Sequence, residues 1–216
     1  MPGQASIVFV VDDDDSLRRS LERLLSVSGH HVRSFPSAAA FLEQPDPDCP
    51  CCIVLDIRMP NLTGLDVQHA LKQSDRLIPV IFMTGFADVE TCILGMKAGA
   101  ADFLLKPFDD DQLLRAVGAA LHRNREMRRL RADRLELRTK LERLTPREQE
   151  VFQLVSKGLL NKQIAGLLGT KEGTVKLHRA HLVQKLEARS VADLVRMADL
   201  LETGDASPTT QAQVSA

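Results

Sequence analysis

The sequence predicts a doubly wound α/β domain with a five-stranded parallel sheet, followed by an all-α domain of four helices. Three observations lead to this fold class. The 216 residues are enough for two small hydrophobic cores. Short apolar runs alternate with helical patterns in the first half of the chain, and only helical patterns occur in the second half. The composition, 44% hydrophobic and 26% charged, is that of a globular protein.

The strands of the first half are predicted from apolar runs of four or five residues. These runs cover residues 7–11, 31–35, 51–55, 79–83 and 102–105. Helical patterns separate them at residues 16–26, 37–43, 65–74 and 88–98, and a fifth helix begins near Asp109. Strands and helices that alternate in this way form a parallel sheet that is covered on both faces.

Polar residues stand where four of these strands end. Asp12 and Asp13 follow the first strand, Asp56 ends the third, Thr84 ends the fourth, and Lys106 follows the fifth. Ligands of doubly wound sheets bind at this edge. Carboxylates that gather there suit Mg²⁺, and lysine and threonine suit a phosphoryl group. Asp56 is the predicted nucleophile, because a carboxylate can form an acyl phosphate.

The run of four aspartates at residues 12–15 therefore divides into two halves. We predict that Asp12 and Asp13 belong to the metal site. Asp14 is interpreted as a loop residue, and Asp15 as the N-cap of the helix that begins at Ser16.

A helical linker is predicted at residues 122–140, between domains at 6–121 and 141–205, and residues 206–216 are interpreted as a disordered tail. The stretch from Leu121 to Leu144 has no Gly or Pro, which favours one continuous helix. A paired coiled coil remains the alternative, because the leucine pattern spans few heptads. Lys and Arg exceed Asp and Glu by five in residues 122–144, whereas residues 1–121 carry 10 basic and 17 acidic side chains. Such asymmetry indicates different partners for the two halves.

The second half contains the helix start and stop signals that are typical of a helix-turn-helix. Thr145 is a predicted N-cap, with Pro146 at the first helical position and Glu148 closing a capping box. Gly158 ends that helix and Gly169 ends the next one. Asn161 is the predicted cap of the short second helix, and a longer basic helix is predicted to begin at Thr170. A basic solvated helix in an ordinary bundle is the alternative to a DNA-binding helix.

Four stretches of the first half, "VVDDDDSLR", "VLDIRMPNLTGLD", "MTGFAD" and "KAGAADFLLKPF", resemble the flavodoxin-like receiver domain of bacterial two-component response regulators. The resemblance implies that Asp12, Asp13, Asp56 and the backbone carbonyl of Arg58 bind Mg²⁺. It implies that Asp56 accepts a phosphoryl group from a kinase histidine. The resemblance also implies that Thr84 and Phe103 form a switch pair and that Lys106 pairs with the phosphoryl group. The peptide bond between Lys106 and Pro107 is implied to be cis.

The stretch "LTPREQEVFQLVSKGLLNKQIAGLLGTKEGTVKLHRAHLVQKLEARS" resembles the four-helix DNA-binding domain of the LuxR and NarL group. By position, the implied base contacts are Lys176, Leu177 and Ala180. The implied backbone or helix-fixing contacts are Lys162, Thr174, His178 and Arg179. Lys185 adds positive charge to the same helix, and Gly173 is smaller than the residue that is usual in the group.

The order of the two domains resembles response regulators of the FixJ, TodT and StyR type. This implies a phosphorylation-dependent transcriptional regulator, a switch rather than an enzyme. The implied partners are a sensor histidine kinase, promoter DNA, RNA polymerase and a second copy of the chain. One alternative is a constitutive DNA-binding protein, and another is an aspartate-nucleophile phosphatase. The phosphatase is disfavoured because Arg58 stands where that class carries a second aspartate.

Location and redox state are predicted from absences in the sequence. No apolar run approaches the length that spans a bilayer, and no signal peptide is evident, so we expect a cytoplasmic protein with no membrane partner. The four cysteines are too few and too bunched for a disulfide framework, and a reduced structural role is expected, with a redox-sensing role as the alternative.

Overall fold

The computed structural model describes residues 6–85 and 89–205. The chain divides into two compact units between Arg129 and Leu130. The first unit contains the strands β1 Ile7–Val11, β2 His31–Phe35, β3 Cys51–Asp56, β4 Val80–Thr84 and β5 Asp102–Leu105. Its helices are α1 Asp15–Val27, α2 Ala38–Leu42, α3 Gly64–Gln73 and α4 Val89–Lys97. Helix α5 Asp110–Leu141 crosses the division, and the second unit adds α6 Pro146–Ser156, α7 Asn161–Leu167, α8 Glu172–Lys185 and α9 Val191–Asp205.

The five strands form one parallel sheet in the order β2-β1-β3-β4-β5. Successive side chains of β1 face opposite sides of this sheet, so that Phe9 and Val11 enter one core cluster and Val8 and Val10 enter the other. Helices α2 and α3 contribute to the first cluster, and α1 and α5 to the second. The predicted α/β class and its all-α second domain are confirmed.

The start of α1 corrects two predictions. Asp14, not Asp15, is the N-cap, and its side chain accepts hydrogen bonds from the backbone N–H groups of Ser16 and Leu17 at 2.8 and 3.1 Å. These bonds hold the pKa of the Asp14 carboxyl below its usual value. Asp15 is the first helical residue, where the helix dipole favours an acidic side chain, and it pairs with Arg18.

Helix α5 is continuous from Asp110 to Leu141, as the absence of Gly and Pro after Leu121 favoured. That residues 122–140 act as a linker between two domains stays a prediction. The coiled-coil alternative needs a second chain and stays untested. The predicted start of the fourth helix at Asp88 and the predicted tail at residues 206–216 lie outside the described residues. Among the helices of residues 6–85 and 89–205, none combines the length and the apolar character of a membrane-spanning helix.

The second unit begins with the capping box that was predicted at Thr145. The Thr145 side chain accepts from the Glu148 N–H, and the Glu148 carboxylate accepts from the Thr145 N–H at 2.8 Å. Gly158 and Gly169 both adopt positive φ, +80° and +61°, as helix-ending glycines do. The core of this unit collects buried residues from α6 to α9, among them Val175 and Leu182 of α8.

Two predicted helix starts in this unit are wrong. Asn161 is the first residue of α7 rather than its cap, and its side-chain oxygen instead accepts a hydrogen bond from Arg179 at 2.7 Å. Helix α8 begins at Glu172 with Lys171 in the N-cap position. Thr170 is too early because its N–H bonds to the Ala165 carbonyl at 3.0 Å, which closes the end of α7.

The described cysteines agree with a reduced structural role. Cys49, Cys51 and Cys52 are free thiols, and Cys51 and Cys52 are buried in β3. Burial raises the pKa of Cys51 to about 12. A thiol that keeps its proton is a poor nucleophile and a poor redox sensor.

Candidate functional site

The candidate site lies at the carboxyl edge of the sheet, because β1, β3, β4 and β5 all end there. Asp12 follows β1, Asp56 ends β3, and Lys106 follows β5. The Nζ atom of Lys106 lies 2.9 Å from Oδ2 of Asp12 and 3.2 Å from Oδ2 of Asp56. Four separate segments of the chain thus bring five residues to one edge, because Asp13 and Thr84 join the three above. The Lys106–Pro107 peptide bond is cis, as predicted.

Three carboxylates form the acidic part of the site. Asp12, Asp13 and Asp56 each offer an oxygen, and the three oxygens lie within 4.8 Å of one another. Asp12 is fully buried and Asp13 is exposed. The loop after β1 fixes Asp12, because its Oδ1 accepts from the Asp14 N–H at 2.8 Å and its carbonyl accepts from Arg18 at 2.8 Å.

The charges of the site are only partly balanced. Burial raises the pKa of Asp56, and the nearby Lys106 ammonium opposes this shift. Burial acts to lower the pKa of Lys106, but the hydrogen bond to Asp12 and the charge of Asp56 raise it above its usual value. One ammonium does not balance the negative charge of three carboxylates, so the site can accept a hard divalent cation. A donor set made only of oxygens fits Mg²⁺.

Arg58 lies beside this cluster. Its backbone N–H donates to Oδ1 of Asp56 at 3.4 Å. A surface cavity of about 570 Å³ is lined by Arg58 together with Asp13, Met59 and Thr63. The cavity borders the acidic cluster through Asp13. That the Arg58 carbonyl is a metal ligand stays a prediction.

The two residues of the expected switch pair lie on adjacent strands. Thr84 is buried at the end of β4, and its carbonyl accepts from the Lys106 N–H at 2.7 Å. The Phe103 ring packs against Phe82, with ring centroids 5.0 Å apart. A Cβ atom at Gly95 of α4 would lie 2.6 Å from Cζ of Phe103. The observed position of this ring therefore depends on a glycine in α4.

Gly64 is a residue near the site that the sequence analysis missed. It begins α3, and its N–H donates to the Ile57 carbonyl at 3.0 Å. A Cβ atom there would lie 2.9 Å from both the Asp56 carbonyl oxygen and Cε1 of Phe82. The sequence signal was a glycine at the start of a helix, directly after the capping residue Thr63.

The predicted DNA-contacting residues lie on α7 and α8. Val175 and Leu182 are the buried residues of α8, and they pack in the core. The exposed predicted contacts are Lys162, Thr174, Lys176, Leu177 and Ala180. The predicted contacts His178 and Arg179 are half-buried. The structure thus leaves the proposed base-reading residues on a solvent face, while contact with DNA is untested.

Two of the predicted basic contacts have partners inside the domain. Arg179 donates to Asn161, as described above. The Nζ atom of Lys185 lies 2.6 Å from Oε2 of Glu148 and 3.4 Å from the Arg143 carbonyl. These bonds hold α8 against α6 and α7. That Lys185 contacts DNA stays a prediction. Its ion pair with Glu148 is a structural role that the sequence analysis did not foresee.

Comparison with known proteins gives a match for each half. Residues 8–118 match the response regulator receiver domain, and residues 142–198 match the bacterial regulatory proteins of the luxR family. The chain therefore belongs to the two-component response regulators with a LuxR-type helix-turn-helix domain, a family of transcriptional regulators rather than of enzymes.

The chain matches its relatives along most of their length. The chain is 47% identical to Nodulation protein W of Bradyrhizobium diazoefficiens, over 97% of this chain and 92% of that protein. It is 43% identical to the transcriptional regulatory protein FixJ of Azorhizobium caulinodans, over 94% of this chain and 97% of that one. The solved structure of the response regulator StyR superposes with a TM-score of 0.74 at 44% identity, covering 90% of this chain and 98% of that one. The predicted family is thus confirmed, and it implies a histidine kinase partner and DNA binding.

Proposed function

We propose that phosphorylation of Asp56 controls promoter binding by the C-terminal helices. The observation that carries this proposal is the position of Asp56, a largely buried carboxylate that pairs with Lys106 and lies within 4.8 Å of oxygens of Asp12 and Asp13. Buried acids without a functional reason are rarely placed beside two further carboxylates.

The proposed reaction is transfer of a phosphoryl group from a kinase phosphohistidine. An oxygen of Asp56 attacks phosphorus, the P–N bond breaks, and an acyl phosphate forms on Asp56. Mg²⁺, held by Asp12, Asp13, Asp56 and the Arg58 carbonyl, would neutralise charge on the transferred group. Lys106 then pairs with a phosphoryl oxygen in place of one carboxylate.

The signal is proposed to pass through Thr84 and Phe103. The Thr84 hydroxyl donates to the new phosphoryl group, and the Phe103 ring follows it toward the core. Exposed apolar side chains flank this region, and they supply a surface for homodimer formation. They are Ile93, Leu94 and Met96 of α4 and Leu105 of β5.

The output is proposed to be DNA binding by α8. This helix presents Lys176, Leu177 and Ala180 on its exposed side, and a major groove admits a helix that carries such residues. RNA polymerase at the promoter is the further proposed partner. The proposed location is the cytoplasm, because the kinase is proposed to donate its phosphoryl group inside the cell.

The first test is phosphoryl uptake by the full chain. We expect a small-molecule phosphodonor with Mg²⁺ to add one phosphoryl group, read by intact-protein mass spectrometry. Asp56→Asn is expected to abolish the mass increase, because an amide is not a nucleophile. Asp48→Asn is the matched control, since Asp48 is an exposed carboxylate in the loop between α2 and β3, and it should leave the uptake unchanged.

When Mg²⁺ is left out and a chelator is added, phosphoryl uptake by the unchanged chain should become much slower. Uptake that persists in Asp56→Asn would contradict the proposed acceptor. Release of inorganic phosphate over many turnovers would favour the phosphatase alternative.

The second test concerns the DNA-reading helix. Lys176→Ala is expected to weaken binding to a selected site by about 1 to 3 kcal/mol and to relax its sequence preference, if Lys176 reads a base edge. Lys157→Ala is the control, because Lys157 is exposed at the end of α6, away from α8 in sequence. Fluorescence anisotropy at matched salt measures both variants. Equal loss on every duplex would instead make Lys176 a phosphate contact.

A further inference from the structure

The C-terminal domain contains a second cluster of metal-ligating side chains, outside the phosphorylation site. One member, His178, is also a predicted backbone or helix-fixing contact, and that role does not account for the other two. Glu148 comes from α6, and His178 and His181 come from α8. Each offers one ligand atom, and the three atoms lie within 4.8 Å of one another. The two histidines are three residues apart, so they share one side of α8.

The Glu148 carboxylate is held in place by one of its two oxygens. Oε2 accepts from the Thr145 N–H at 2.8 Å and from Nζ of Lys185 at 2.6 Å. Oε1 lies 3.6 Å from Nδ1 of His181 and is the oxygen that remains for a ligand. Glu148 is therefore a carboxylate whose orientation is fixed by two hydrogen bonds to one oxygen, which leaves the other oxygen toward His181.

His178 supplies an independent observation. Its Nδ1 atom is buried and has no hydrogen-bond partner among the residues that the structure describes. Burying an imidazole nitrogen without a hydrogen-bond partner costs desolvation free energy, and natural proteins rarely contain such a nitrogen. An imidazole nitrogen that has no protein partner is available to bind a metal ion.

We propose that Glu148, His178 and His181 form a binding site for a divalent transition-metal ion, Zn²⁺ in the first instance. Two imidazoles and one carboxylate are a zinc-binding donor set that leaves a fourth position open. Tetrahedral Zn²⁺ with bonds of about 2.0–2.1 Å places its ligands about 3.3 Å apart. The 3.6 Å between Oε1 of Glu148 and Nδ1 of His181 is close to that separation.

The bonds behind Glu148 are typical of a metal site, because a ligating carboxylate is held by further hydrogen bonds. The Lys185 ammonium is also a nearby positive charge, and it limits the affinity of the site for a cation. The ion would join α6 to α8 and so stabilise the helix that carries the predicted DNA contacts. This proposal does not depend on phosphorylation of Asp56.

The test uses the full chain with Mg²⁺ in excess, so that the carboxylates of the first domain are occupied. Titration with Co²⁺ should give the visible absorption of a site with nitrogen and oxygen ligands at one equivalent, and Zn²⁺ should displace it. His181→Gln is expected to weaken binding by about tenfold or more. His181 is about half exposed, so this variant keeps the fold, which far-UV circular dichroism verifies.

His31→Gln is the matched control, because His31 is exposed on β2 of the first domain, and it should bind like the unchanged chain. At one Zn²⁺ concentration, the thermal unfolding temperature should also rise more in the unchanged chain than in His181→Gln. Binding of equal strength in His181→Gln, at carboxylates or cysteines elsewhere, would overturn the proposal. The same conclusion would follow if no Co²⁺ absorption developed.

Discussion

Leu182→Ala is expected to destabilise the C-terminal domain by about 2–5 kcal/mol, because it leaves a cavity in a well-packed core. The Leu182 side chain is fully buried on α8, and it packs in the core cluster that α6, α7 and α9 complete. A domain of this size has a small margin of stability, so a loss at the upper end of that range would unfold it. DNA binding should fall with the folded fraction.

The matched control is Leu177→Ala on the same helix. Leu177 is 55% exposed, and its removal should change stability by no more than about 0.5 kcal/mol. It should weaken DNA binding, because Leu177 is a proposed base contact. The chain has no Trp or Tyr, so unfolding is best followed by far-UV circular dichroism, with hydrogen exchange used to assign the loss to α8. If the two variants were equally stable, the described core of the domain would be wrong.

Gly64→Ala is expected to destabilise the receiver domain by about 1–3 kcal/mol, because the added methyl group overpacks a close approach. Its Cβ would lie 2.9 Å from the Asp56 carbonyl oxygen and 3.1 Å from Cα of Ile57. Both neighbours are backbone atoms of the segment that carries the acceptor, and they cannot rotate away. The strain should also displace Asp56 and slow its phosphoryl uptake, which mass spectrometry measures against time.

Gly118→Ala is the control, and it is expected to stabilise the receiver domain rather than to destabilise it. Gly118 lies in α5, and a Cβ atom there would meet nothing within 4 Å. Alanine should therefore stabilise the helix by up to about 1 kcal/mol and leave phosphoryl uptake unchanged. If Gly64→Ala also gained stability and kept the normal uptake rate, the close approach of α3 to Asp56 would not exist in solution.

The sequence predicted the sheet and the gathered site because both follow from local patterns. Each strand is a short apolar run, and parallel strands end at one edge, so Asp12, Asp56 and Lys106 were brought together by topology alone. The long-range contacts had no such signal. The dependence of Phe103 on Gly95 joins β5 to α4, and the bond between Arg179 and Asn161 joins α8 to α7.

The errors at helix starts have a common physical cause. Asp14 and Asp15 have the same side chain, and only the backbone conformation decides which of them caps α1. Asn161 is a good cap in general, but a guanidinium from another helix binds its oxygen instead. Thr170 was assigned to the start of α8, whereas its N–H completes the end of α7. In each case a tertiary contact or a backbone angle outweighs residue preference.

The most direct test of the account is the affinity of the full chain for DNA before and after phosphorylation of Asp56. The DNA is a fragment that the protein selects from a random pool, and binding is read by anisotropy at fixed salt. We predict that phosphorylation tightens binding by about 5- to 150-fold, and that Asp56→Asn with the same donor shows no change. Equal affinity of the phosphorylated and unphosphorylated chain would contradict the account, and would make the protein a constitutive DNA binder.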